Sequence, residues 1–255
     1  MTDFEWSVIA PLLPNKPRGV PWADDRKVLN GIFWRLRTGS PWADIPERYG
    51  PCTTCYNRFV RWRKIGVWDR IFEAVSRAYD GDLQMVDSSG ASARRQRQKG
   101  AATPAATGNL APAACMGRSR GGLTTKIHAV VDANGNPIML KLSEGQAHDG
   151  RSAADMLDSV GEGQILLADH AYDSDALRTE VAARGAWANI KPMPHRVNLP
   201  AFSPWLYRYR NLVERFFNKL KHSRAVATRF EKHDANYLAL IKLAAARIWM
   251  RFMSR

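Results

Sequence analysis

The apolar positions of this 255-residue chain fall into two regimes. Over roughly the first 80 residues they recur at helical spacing. In DDRKVLNGIFWRLRTG, opened by Asp24 and Asp25, residues 28, 29, 32, 33 and 36 are apolar and Gly39 supplies a stop. This predicts a helix with an acidic N-cap and a glycine end. A short segment, PWADIPERYG, runs to a Gly-Pro break, and the spacing then predicts a helix over 53–64. At about 100° per residue, Tyr56, Phe59, Val60 and Trp62 share one side of it, and Asn57, Arg58, Arg61 and Lys64 share the other. Two helices, a tight turn and a basic third helix match a helix-turn-helix unit whose last helix enters a DNA major groove. A small helical bundle with a solvated basic face fits the same pattern.

Near residue 81 the period changes. LQMVD (83–87) reads as a short apolar strand ending in an acid. Residues 88–117 are rich in Ala, Gly, Gln and Arg without a period, and read as a loop or mobile segment. LTTKIHAVVDANGNPIMLKL is a hairpin pattern turning at Asn134-Gly135. A helix is expected over 151–160. QILLA (164–168) has the unbroken apolar run of a buried central strand and ends at Asp169. Another helix (174–184), a strand (AWANIK), and helices over 205–223 and 235–252 complete the reading. The order predicts an α/β domain on a mixed sheet over 81–255, preceded by a helical, DNA-binding domain over 1–80.

Composition sharpens this. Apolar residues make up 45% and aromatics 10%, enough for a packed core, so whole-chain disorder is excluded. Lys and Arg number 38 against 24 Asp and Glu, a formal charge of +14 that suggests a polyanionic partner, nucleic acid first and an anionic membrane surface second. From Ser88 to Lys126 there is no acid at all, so this stretch suits a phosphate backbone or an ordinary solvated loop. No run approaches the length of a membrane span, and the first residues carry two acids where a signal peptide needs positive charge. Cys52, Cys55 and Cys115 are too few for a disulfide framework, so a cytoplasmic protein is expected. Cys52 and Cys55 have the spacing of half a zinc site, but no second Cys/His pair lies nearby in sequence.

Three acids stand out. Asp87 and Asp169 follow buried strands, where a carboxylate is costly unless paired or bound to a cation. Glu214 lies on a helix that carries Tyr207, Arg210 and Lys221 within about 60° of one another, beside an apolar face. A divalent metal would relieve repulsion among three converging acids, and all-oxygen ligation suits Mg²⁺ or Mn²⁺. An ordinary Arg210–Glu214 helix pair explains the polar stripe equally well. Asp173 and Asp175 read as capping residues of the following helix. Asp132 suits a hairpin turn, and Asp149 either caps a helix or joins His148 near the site. The loop G-R-S-R-G-G could hold phosphate on its backbone N–H groups.

Tyr207-x2-Arg210-x3-Glu214-x6-Lys221 resembles the Y-R-E-K signature of the DDE transposases of bacterial insertion sequences. GRSRGGLTTKIHA (117–129), EGQAHD (144–149), LADHAYDSD (167–175) and RNLVERFFNKLK (210–221) resemble the insertion-sequence-five family, as does PWADIPERYGPCTTCYNRFVRW (41–62). The resemblance implies a ribonuclease-H-like catalytic domain with Asp87, Asp169 and Glu214 as its triad. It implies two Mg²⁺ ions (or Mn²⁺), Asp87 bridging both, and double-stranded DNA as partner, both as terminal inverted repeats and as target. It implies end cleavage by water and joining of 3′-hydroxyls, by a homodimer when DNA-bound. Arg210 and Lys221 would offset phosphate charge, Tyr207 would stack or donate a hydrogen bond, and Arg118, Arg120 and Lys126 would line the approach. The chain departs from its relatives after Asp87, where GASARRQRQKGAATPAATGNLAP replaces a His-containing stretch. Two rival classes are a DNA-binding repressor without catalysis and a nuclease without strand transfer.

Overall fold

The computed structural model describes residues 1–14, 24–77, 81–93, 115–119 and 122–254. Four helices come first: α1 (Asp3–Ile9), α2 (Asp25–Thr38), α3 (Cys52–Lys64) and α4 (Val67–Ser76). The first two starts have a side-chain cause. Thr2 and Glu5 form a reciprocal capping box on α1. The Asp24 carboxylate accepts from the Arg26 and Lys27 N–H groups at the head of α2, and Gly39 ends it in the left-handed conformation (φ 69°).

The helical N-terminal region is as expected, but α2 and α3 are not joined by the tight turn of a helix-turn-helix. Residues 39–51 between α2 and α3 form two separate 3₁₀ turns, Trp42–Asp44 and Glu47–Tyr49, where that motif uses about 3–4 residues. The buried stripe of α3 keeps Phe59 and Trp62 but takes Cys55 in place of Tyr56. Cys55, Phe59 and Trp62 are fully buried, whereas Tyr56 is 40% exposed, its ring edge-on to Trp42 at 5.4 Å. The Trp42 ring also lies against Phe59, at 5.2 Å.

The second part is a seven-stranded mixed sheet. β1 (Leu83–Ala93), β2 (Gly117–Ser119), β3 (Gly122–Asp132) and β4 (Pro137–Glu144) are antiparallel neighbours around β3. There follow α5 (Asp149–Ala153, continued as a 3₁₀ turn to Ser159), β5 (Ile165–Ala168), α6 (Asp175–Ala183) and β6 (Trp187–Ile190). The chain closes with α7 (Pro204–Tyr207), α8 (Asn211–Lys221), α9 (Arg224–Ala227), β7 (Thr228–Arg229) and α10 (Asp234–Met253). β5 and β6 extend the sheet in parallel from β1, and β5, between β1 and β6, is the central strand expected of QILLA. The expected helix over 205–223 is interrupted by a 3₁₀ turn at Arg208–Arg210.

β1 is longer than its sequence suggested. It does not stop at Asp87 but continues to Ala93, each residue from Ser88 to Ser92 paired with β3. SSGAS carries no apolar period, and the partner strand supplies the order. Of the rest of that expected loop, residues 94–114 lie outside the described residues and Gly117 belongs to a strand.

The sheet alternates sides with period two. Met85, Ala91 and Leu167 face a core shared with α2, α3, α4, α8 and α10, whereas Val86, Leu166 and Ala168 face α5, its 3₁₀ extension and α6. The helical N-terminal region and one face of the sheet therefore bury into a single apolar cluster.

Candidate active site

On the same edge of β1, β5 pairs only with residues 83–85 and β7 only with residues 92–93. Among the described residues, the part of that edge between them has no strand partner. Asp87 and Ser89 lie in this gap, on the α8 side, as the period-two alternation from Met85 requires.

The register explains why Asp169 is there too. Gln84 is opposite Leu166 and Met85 opposite Leu167. Continuing that register brings Asp169 beside Asp87 just as β5 ends. Asp169 then turns the chain, its carboxylate accepting from the Ala171 N–H at 2.9 Å.

Glu214 arrives from α8. The three carboxylates meet on one guanidinium: Arg210 Nη2 lies 2.8 Å from Asp87 Oδ2 and 3.7 Å from Asp169 Oδ2, and Nη1 lies 2.8 Å from Glu214 Oε1. The helix pair foreseen for Arg210 and Glu214 is thus one arm of a larger cluster. Lys221 donates to the Ser89 hydroxyl at 2.6 Å, and Tyr207 places its ring 5.9 Å from the Arg210 guanidinium carbon.

The electrostatics follow from burial. Burial pushes the Asp87 carboxyl up to about 6, against the pull of Arg210 and the Ser88 N–H, with Asp169 and Glu214 adding repulsion. Burial works against the charge of Arg210 as well, but Asp87, Tyr207, Glu214 and Asp169 outweigh it and hold the guanidinium above its usual range. Burial raises the Tyr207 phenol. Three formal negative charges therefore face one cation, and the cluster has room for more positive charge. Among the described residues, no three His, Cys, Asp or Glu side chains stand close enough to ligate one ion as placed. Arg210 occupies the position between the acids.

The other predicted residues are dispersed. Asn57, Arg61 and Lys64 are exposed on α3. Arg58 is folded back against the Trp62 ring (5.3 Å) and paired with Asp25 at 2.8 Å, so it is bound into the helix packing. Lys126 is also engaged, donating to the Ala147 carbonyl and to Asp149 at 3.0 Å. Arg118 stands in β2 opposite Leu123, and Arg120 lies outside the described residues. Asp173 is no helix cap: Ser174 caps α6, while the fully buried Asp173 carboxylate binds Arg178, Arg196 and the Met193 N–H. Asp132 accepts from the Asn134 and Asn136 N–H groups, the turn role its position implied. Sequence reading missed the partners on the other side of β1. There the Ser88 hydroxyl donates to Asp149 at 2.9 Å, linking Lys126, Asp149 and β1.

The family described as "Transposase DDE domain" matches residues 79–249, the whole sheet and its helices. The chain belongs to the transposase DDE domain family. Residues 1–72 match a second family, "Putative transposase of IS4/5 family (DUF4096)". The chain is 42% identical over 130 residues to a protein of Brucella ovis described as "Putative transposase for insertion sequence element IS6501", covering 51% of this chain and 100% of that one. It is 39% identical over 117 residues to the "Insertion element IS402 uncharacterized 16.2 kDa protein" of Burkholderia cepacia, covering 40% and 79%. Among solved structures it is similar to the piggyBac transposase in a synaptic complex with hairpin DNA. That likeness has a TM-score of 0.52 and 10% identity over 96% of this chain and 70% of that one, and it supports the ribonuclease-H-like fold. DDE transposases depend on divalent metal, and their work is DNA transposition. Among the described residues no helix is long and apolar enough to cross a membrane.

Proposed function

We propose that this DDE transposase belongs to the insertion-sequence-five family, cuts the ends of its element by hydrolysis, and joins the 3′-hydroxyl ends to target DNA. The observation that carries the reading is the meeting of Asp87, Asp169 and Glu214 on Arg210. Acids from a mid-sheet strand, a strand end and a helix have no structural need to share one cation. They are an all-oxygen set suited to Mg²⁺ or Mn²⁺. The high carboxyl pKa of Asp87 fits a group that gains a second cation in the working enzyme. When bound, a pair of divalent ions supplies an activated oxygen nucleophile and stabilises the leaving oxygen.

The chain's own residues do the rest. Asp87, Asp169 and Glu214 would hold the ions. Arg210, released from the carboxylates, offers its guanidinium to the scissile phosphate. Lys221, anchored on Ser89, adds a second positive charge beside it. Tyr207, stacked on Arg210, steers that guanidinium and presents a hydroxyl to the DNA. The exposed Asn57, Arg61 and Lys64 of α3 contact the duplex of the terminal inverted repeats. Two ends must be held at once, so the working form on DNA is a homodimer.

The test is an in vitro reaction of the purified chain with candidate end DNA and Mg²⁺, comparing wild type with Asp87→Ala, Asp169→Ala and Glu214→Ala. Each variant is expected to lose cleavage and joining while keeping most of its DNA affinity. Retained cleavage in any one removes that residue from the triad. Binding that survives chelation, with no cleavage under any metal, would favour a repressor.

A further inference from the structure

Away from the carboxylates, α2, α8 and α10 enclose a cleft of about 710 Å³. Its walls carry Arg37, Lys219, His222, Arg247 and Arg251 over an apolar floor that includes Phe33 and Ile248. Glu5 pairs with Arg247 at 3.1 Å and lies 3.7 Å from Arg251, with its own carboxylate buried behind them. Among the described residues, Arg37, Lys219 and His222 have no carboxylate within ion-pair distance.

The cleft is preorganised. Arg247 stacks on Phe33 at 4.7 Å and is fixed through Nε by Glu5, leaving its two terminal nitrogens without protein partners among the described residues. Four formal positive charges converge here against one acid, and like charges around a concavity repel unless an anion enters. A free phosphate would satisfy the charge but not the apolar floor. A sugar–phosphate backbone offers both anionic oxygens and apolar sugar faces. Lys219 lies about 140° around α8 from Glu214, so the helix that carries the third acid also forms a wall of this cleft.

We propose that this cleft binds the phosphate backbone of duplex DNA at a further place, apart from both the strand being cut and the α3 contact. The inference rests on the transposase reading above and adds a contact region to it. It is tested by fluorescence anisotropy of a labelled element-end duplex with the full chain between about 50 and 200 mM salt, beside cleavage of the same duplex. For the double variant Arg37→Gln with Lys219→Gln, the slope of log K against log salt becomes shallower by about two. Affinity near 0.1 M salt falls on the order of 10- to 100-fold, with the cleavage rate at saturating DNA unchanged. The reversal Arg37→Glu with Lys219→Glu deepens the loss. An unchanged slope in both doubles, alongside normal wild-type cleavage, overturns the cleft and leaves the transposase reading standing. A wild type that neither binds nor cuts end DNA sinks both. If inorganic phosphate stabilises wild type but not the double variant, while the DNA slopes agree, the cleft is a small-anion site and the proposal fails.

Discussion

Arg210 donates to Asp87 across 123 positions of chain, at 2.8 Å. This contact does not fully offset the cost of burying the carboxylate, because the Asp87 carboxyl stays well above its usual range. Replacing Asp87 with Asn removes a buried charge of nearly the same shape. Asp87→Asn should therefore stabilise the metal-free protein near neutral pH by about 1–2 kcal/mol, or a few degrees in Tm, while abolishing cleavage. Thermal melts in chelator check this, and an unchanged or lower melting temperature would contradict it.

Arg210 stands between the acids, so it and a divalent ion compete for the same oxygens. In Arg210→Gln the carboxylates lose their only shared cation among the described residues. Without DNA, this variant should bind Mn²⁺ more tightly than wild type, on the order of tenfold for a factor of about 1.4 kcal/mol. It should cleave poorly all the same, because the guanidinium is then missing from the phosphate. Calorimetric titration of wild type and variant with Mn²⁺ decides the point.

Asp173 and Asp175 make a contrasting pair. The Asp173 side chain is fully buried between Arg178 and Arg196, whereas Asp175 is 85% exposed and touches Arg196 from outside. Asp173→Ala takes one partner from each of two guanidiniums, Arg178 keeping the Ala188 and Ile190 carbonyls and Arg196 keeping Asp175, and should cost about 1.5–3 kcal/mol. Asp175→Ala should cost about 1 kcal/mol or less. Denaturant titration of both variants would expose a capping role instead if the two losses came out alike.

His128 governs an acid limb. It is fully buried in β3, its Nε2 2.6 Å from the Ser143 hydroxyl, and burial lowers its pKa from 6.5 to about 4. The unfolded chain takes up a proton below about pH 6.5 that the folded chain refuses until about pH 4. Stability is thus intact above 6.5 and drains away as the pH falls toward 4, by on the order of 2–3 kcal/mol from this group. His128→Gln should melt with a visibly flatter pH dependence over that window.

Much of the site was legible because it depends on local pattern. The apolar run ending at Asp169 marked a strand terminus, and the helical period put Arg210 beside Glu214 even though a 3₁₀ turn at Arg208–Arg210 breaks the helix there. What escaped depends on partners distant in sequence. SSGAS is a strand only because β3 lies alongside it. Tyr56 is turned outward, edge-on to Trp42, while Cys55 takes the buried position. The helical wheel put Arg210 next to Glu214 but gave no means of knowing that Asp87 and Asp169 share the same guanidinium. Arg58 and Lys126 read as open cations, yet each is spent on a neighbouring carboxylate.

The apolar cluster common to the first helices and the sheet has a practical corollary. α4 lies along α10, and Glu5 near the start of the chain clasps Arg247 near its close. A fragment ending around residue 80 would leave Val67, Trp68, Ile71, Phe72 and Val75 stripped of their cover. Such a piece should be sticky and poorly ordered, so excising the front helices for separate study would yield aggregate instead of a miniature DNA reader.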